Sequence, residues 1–209
     1  KVNAFDPNDL PTQVRFVKRS LHGMMNGPVS ASMREKGLTY KVNFGVELPR
    51  LREFATSLPH TYELASALWK EDIRECRILA GLLMPAEKFD SELADVWVEQ
   101  MRFAEEAECT VMNLFVHLKD ASDKAFEWMA AEQPLTQVCG YLLLARLLMG
   151  GARLTERDEQ EFLDHAATAL AVDSPMAVRS AAQKCLMKFM DAGEREEQMA
   201  EAMLAQLES

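Results

Sequence analysis

Three segments, IRECRILAGLLM (73–84), TVMNLFVHL (110–118) and VCGYLLLARLLM (138–149), are apolar nearly all round when wound as helices. A helix with no polar face must be covered by neighbours on several sides. These segments therefore predict a layered helical architecture in which they form the inner layer. From Leu10 onward apolar residues recur at intervals of three and four, and no stretch alternates as a strand would.

The remaining helical patterns pair with these segments. The spacing predicts helices over 60–71 with 73–84, 90–103 with 105–118, 121–132 with 135–149, and 156–171 with 175–191. A short N-terminal helical region (1–58) precedes the stacked pairs (59–191), and a capping helix over 194–208 follows them. The second members of the pairs begin roughly 30 to 40 residues apart, the period at which helix pairs stack into solenoids. Outer members such as DSELADVWVEQM and DEQEFLDHAATAL are amphipathic. Punctuation agrees with this division. Asn26-Gly27-Pro28 breaks the chain after a first helix, Pro85 and Gly150-Gly151 end others, Ser174-Pro175 reads as an N-cap with proline at N1, and Thr155 with Asp158 imitates a capping box.

Length and charge narrow the function classes. The 209 residues suit one domain or one continuous array. No apolar run approaches the roughly 20 residues that a spanning helix needs, and KVNAFDPNDLP lacks a secretory pattern, so the expected location is cytoplasmic. The net charge of −10 opposes non-specific attraction to a polyanion. The charge is unevenly spread, however. Residues 1–53 carry nine Lys or Arg against five Asp or Glu, so phosphate contacts are expected to favour the N-terminal third.

Cys76, Cys109, Cys139 and Cys185 are scattered, with no C-x-x-C pair, and His22, His60, His117 and His165 are isolated, so neither a metal nor any other cofactor is expected. Buried, reduced thiols are the expectation, with Cys76, Cys109 and Cys139 early in inner helices where a small side chain lets helices approach. Trp69, Trp97 and Trp128 sit at apolar positions of outer helices and should pack in the core. GMMNGPVS lacks the lysine and the preceding strand of a phosphate-binding loop, which sets aside a nucleotide-driven enzyme. Glu105, Glu106 and Glu108 gather where a helix begins, and the macrodipole alone favours them there. Helical geometry sets Glu108 beside the arc of Ala107, Val111 and Phe115, and Glu106 with Thr110, Asn113 and His117 on the polar side.

YKVNFGVELPRLREFA followed by ALWKEDIRECRILAGLLM resembles the DNA alkylation repair family of HEAT-like alkylpurine DNA glycosylases. The matching elements are Gly45, Pro49, Leu51-Arg52, Leu68-Trp69, Arg74-Glu75 and Leu79-Ala80, and the similarity runs from about Tyr40 to about Met190. The resemblance implies an all-α, right-handed α-α superhelix of HEAT/armadillo-like repeats whose concave face holds duplex DNA bearing a cationic alkylated purine. It also implies a Trp followed four residues later by an Asp at the start of an inner helix, an Arg early in the next inner helix, and a second Trp near the last. Carried onto this chain, these positions fall on Ala104, Glu108, Val138 and, by a looser alignment, Lys184. Only the carboxylate is kept.

Loss of both aromatic walls removes about 1–2 kcal/mol of cation–π attraction per face for a cationic base. Base excision by the family's layout is therefore not expected. Two functions of different class remain. The first is a duplex-DNA-binding member of the family, any excision centring on Glu108, with Arg34, Lys36, Lys41, Arg50, Arg74, Arg77, Lys184 and Lys188 as backbone-binding candidates. The second is a non-catalytic helical-repeat scaffold that binds a protein or peptide in its groove.

Overall fold

The computed structural model describes Asp6 and residues 8–207, so Glu208 at the end of the expected capping helix lies outside the described residues. Twelve α-helices and two 3₁₀ turns occur among the described residues, with one isolated bridge between Val42 and Ile73 in place of any strand. The chain gathers into two compact units, one up to Phe89 and the other from Asp90.

The first unit contains α1 (Leu10–Gly23), α2 (Gly27–Glu35), α3 (Leu48–Thr56), α4 (Tyr62–Trp69) and α5 (Arg74–Leu83). Asn26 caps α2, its Oδ1 accepting the Val29 N–H at 3.3 Å, so the Asn-Gly-Pro break also starts the next helix. Thr61 caps α4 in the same way through the Leu64 N–H. Helices α1, α3 and α4 pack on α5, which buries Cys76, Ile78, Leu79, Ala80 and Leu83.

Between α2 and α3 the chain runs extended and is clamped by a buried ion pair. Arg74 is 1% exposed. Its Nη1 donates to the Val46 carbonyl at 2.8 Å and to Glu75 Oε1 at 3.1 Å. The Glu75 carboxylate accepts the backbone N–H groups of Phe44 (3.2 Å) and Val46 (3.1 Å). On the other side the Ser30 hydroxyl donates to the Asn43 carbonyl at 2.6 Å, and the Asn26 N–H donates to Phe44 O at 2.8 Å. Gly45, at φ 71°, sits so close to α2 that a Cβ there would lie 2.4 Å from Asn26 O and 2.6 Å from Ser30 N. The Gly45 and Arg74-Glu75 elements of the sequence are thus two halves of one clamp.

The second unit contains α6 (Ser91–Glu99), α7 (Ala104–Asn113), α8 (Ala121–Met129), α9 (Pro134–Met149), α10 (Glu156–Ala169), α11 (Met176–Met190) and α12 (Glu194–Leu207). Helix α9 touches α6, α7, α8 and α11, as its apolar circumference demands. Gly140 lets α8 approach closely, since a Cβ would fall 2.6 Å from Met129 N. Outer helices α6 and α8 are tied by Asp95, which accepts from Lys124 Nζ at 2.7 Å and from Trp128 Nε1 at 2.8 Å. Burial alone would lower the Lys124 pKa, but the hydrogen bonds to Asp95 and Glu127 raise it. All three tryptophans are buried, as are all four cysteines.

Two local expectations are corrected. The helix anticipated over 105–118 ends at Asn113, because Leu114 turns to φ −134°, ψ −55° and a 3₁₀ turn over Phe115–His117 follows. That turn places the fully buried Phe115 ring 5.1 Å from Trp128. Ser174 does not cap α11. Pro175 is the cap residue and the helix starts at Met176, while the Ser174 hydroxyl donates to Thr168 O at 3.0 Å. At α10, Thr155 does accept the Asp158 N–H, at 3.2 Å.

Two predictions follow from this packing. Glu75→Gln leaves the Arg74 guanidinium buried without its counter-charge and should cost about 3–5 kcal/mol. Gly45→Ala should cost about 2–4 kcal/mol from left-handed strain and overpacking. Urea denaturation monitored by circular dichroism reads both, and losses below 0.5 kcal/mol would contradict the clamp.

A third prediction concerns pH. Burial pushes the thiols of Cys76, Cys139 and Cys185 far above their ordinary 9.0. Because these folded-state values are raised, the thiols' contribution is fully present below about pH 9 and is lost as pH climbs towards the folded values, by about 1.4 kcal/mol per thiol per pH unit. The melting temperature should be flat from pH 7 to about 8.5 and fall steeply by pH 10. An unchanged melt at pH 10 would contradict it.

Candidate functional site

The acidic start of α7 divides into two kinds of carboxylate. Glu106, expected on the polar side of the helix, is 2% exposed. Its Oε2 accepts the Arg102 N–H at 2.7 Å and the Phe103 N–H at 3.3 Å. It makes the N3 contact of a capping box without the other half, since Phe103 at the cap position has no side-chain acceptor, and it satisfies backbone donors that precede the helix. Thr110, one turn on, is also buried rather than polar-facing. The carboxylate is drawn inward because those N–H groups need an acceptor, a demand that periodicity does not report.

Glu108 is the exposed member. Its side chain is 54% accessible and its Oε1 lies 3.7 Å from Lys184 Nζ on α11, itself 59% accessible. Both helices pack on α9, which brings together two residues 76 positions apart. An exposed pair of this kind is worth about 0–1 kcal/mol. Its chemical consequence is larger than its energy: a cation of the chain itself stands beside the carboxylate that would have to face a cationic base. Val138 and Cys139 of α9 are buried, and Cys139 Sγ lies 3.7 Å from Met101 Sδ. No guanidinium is available from that stretch of α9.

The cations expected to meet phosphates fall into three groups. Arg34 and Lys36 at the end of α2, Lys41 in the extended segment and Arg50 in the first turn of α3 are exposed. Lys188 and Lys184 lie one turn apart on α11, and Lys188 is tied to Asp191 at 2.7 Å. Arg77 is half-buried, its guanidinium 4.5 Å over the Trp69 ring and its Nε donating to Glu71 O at 3.4 Å. Arg74 must be removed from the set, since its guanidinium is wholly engaged inside the clamp and unreachable by a phosphate.

Exposed cations that the sequence reading passed over include Arg19 on α1 and Lys70 after α4. Both belong to the first unit, and the local density of basic residues there was the signal that could have found them. The charge of the two units differs sharply. Up to Phe89 there are 13 Lys or Arg against 10 Asp or Glu, and from Asp90 there are 10 against 23.

Comparison with known proteins agrees with this architecture. No curated protein matches the chain. A solved structure from a family of proteins related to the HEAT-like repeat DNA glycosylases, with affinity for branched DNA structures, superposes with a TM-score of 0.81 at 17% identity, covering 92% of this chain and 82% of that one. It shares the HEAT-like repeat fold. The sequence profile of the DNA alkylation repair enzymes matches residues 17–186, well over half of the chain. By that match the chain belongs to the DNA alkylation repair enzyme family.

Proposed function

We propose that this protein binds duplex DNA, branched forms included, through the exposed cations of its first unit, and that it does not hydrolyse N-glycosidic bonds by the family's layout. The observation that carries the reading is the separation of charge. Arg34, Lys36, Lys41 and Arg50 are solvated, with no carboxylate at ion-pair distance among the described residues, whereas Lys184 and Lys188 are each paired. Solvated cations release phosphate counterions at little cost, while paired ones must first give up a carboxylate. The affinity of the structural relative for branched DNA supports the same partner class.

Absence of excision follows from what stands at the catalytic positions. Glu108 faces Lys184, Ala104 offers no aromatic wall, and Val138 is buried. A cationic nucleobase would have to compete with a tethered ammonium for one carboxylate, without stacking to select it.

Fluorescence anisotropy with a labelled duplex and a four-way junction tests the binding. Affinity should fall steeply with added salt, and the combined Arg34→Gln, Lys36→Gln, Lys41→Gln and Arg50→Gln variant should lower the slope of log K against log salt by up to about 3.6, at roughly 0.9 per lost phosphate contact. No binding at micromolar protein, or binding indifferent to salt, would overturn the reading. Purine release from methylated duplex should be absent for the wild type and for Glu108→Gln alike. Release by the wild type that Glu108→Gln abolishes would overturn the second half.

A further inference from the structure

A groove between α10 and α12 in the second unit lies outside everything described so far. Leu163 and Ala167 of α10 line one wall, and Met199, Met203 and Leu207 of α12 line the other, around a space of about 290 Å³. Met199, Met203 and Leu207 recur every fourth residue, so they form one stripe along α12. That stripe is incompletely covered. Among the described residues of α12 only Ala200 is buried, Met199 and Met203 are half-buried, and Leu207 is exposed.

The volume falls just below the range of roughly 300–1,000 Å³ usual for small-molecule sites. Its polar lining residues, Gln160, Asp164 and Gln206, are all exposed. Its rim has Gln160 donating to Asp164 at 3.0 Å, a bond internal to α10. A row of shallow apolar positions with methionine walls suits the side chains of a docked helix, because methionine adapts its shape to several partners.

The charge around the groove selects the occupant. Asp164 is the carboxylate that lines the groove, and helices α10 and α12 together carry nine carboxylates against two arginines, Arg157 and Arg195. Arg195 is already held by Glu159 at 2.7 Å. Nucleic acid is repelled by such a surface. A second copy of the same two helices would meet like charge.

We propose that the α10–α12 groove docks an amphipathic, lysine- or arginine-rich helix of a partner protein, with its apolar stripe against Met199, Met203 and Leu207 and a basic flank towards Asp164, drawn by the acidic balance of the two helices. This surface is separate from the DNA-binding cations, so the two functions stand or fall independently.

Isothermal titration with synthetic probes tests it on the full chain. The first probe is a 15-residue helical peptide with leucines at positions 1, 4, 8 and 11 and lysines on its other face. The second has the same composition scrambled so that no stripe forms, and the third has glutamate in place of lysine. The striped basic peptide should bind at least 10-fold more tightly than either control. Met203→Lys, or Ala202→Trp at an exposed position of the same groove, should weaken it at least 10-fold without moving the thermal melt. Using two independent variants keeps the test valid if one of them perturbs folding. Equal binding of striped and scrambled peptides, binding insensitive to both folded variants, or no binding of the striped basic peptide would overturn the proposal. So would duplex DNA displacing that peptide by occupying the groove.

Discussion

An inner helix with no polar face is the constraint from which the second unit follows. Once VCGYLLLARLLM is wound as α9, several sides of it must be covered, and α6, α7, α8 and α11 supply the cover over Val138–Ala145, leaving Arg146 and Met149 exposed at its end. Gly140 permits the close approach of α8, and Phe115 packs against the buried Trp128. Chemistry is pushed to helix ends and outer faces as a result. Glu108 and Lys184 can meet because α7 and α11 both lie against α9, and Val138 cannot serve a ligand because α9 has no free side there.

The first unit solves a different problem. Its long connection between α2 and α3 carries backbone donors and acceptors that no helix satisfies, and the Arg74-Glu75 pair supplies partners for them. A dipeptide that looks like a surface-charged helix start is therefore an internal strut. The cations left over, on α2, the extended segment and α3, stay in water.

The sequence was legible where periodicity and punctuation agreed. Helix pairs, the buried tryptophans and thiols, the Asn26 break and the Thr155 cap could all be read because each rests on local spacing or a local hydrogen bond. It was illegible where a residue answers to a distant one. The burial of Arg74 depends on Val46, 28 residues earlier, and the pairing of Glu108 depends on Lys184. The inward turn of Glu106 depends on orphan donors ahead of α7, and the helix break at Leu114 on the place Phe115 takes beside Trp128. The departures that the resemblance implies at Ala104, Glu108 and Val138, by contrast, are an expectation read from the sequence alone.

DNA held by the first unit, with the paired lysines of α11 left out, is the central claim. Lysine acetylation footprinting of the protein with and without saturating duplex, read by mass spectrometry, tests it most directly. Lys36 and Lys41 should be protected by DNA while Lys184 and Lys188 stay as reactive as in the free protein. Protection of Lys184 and Lys188 with Lys36 and Lys41 unchanged would contradict the account.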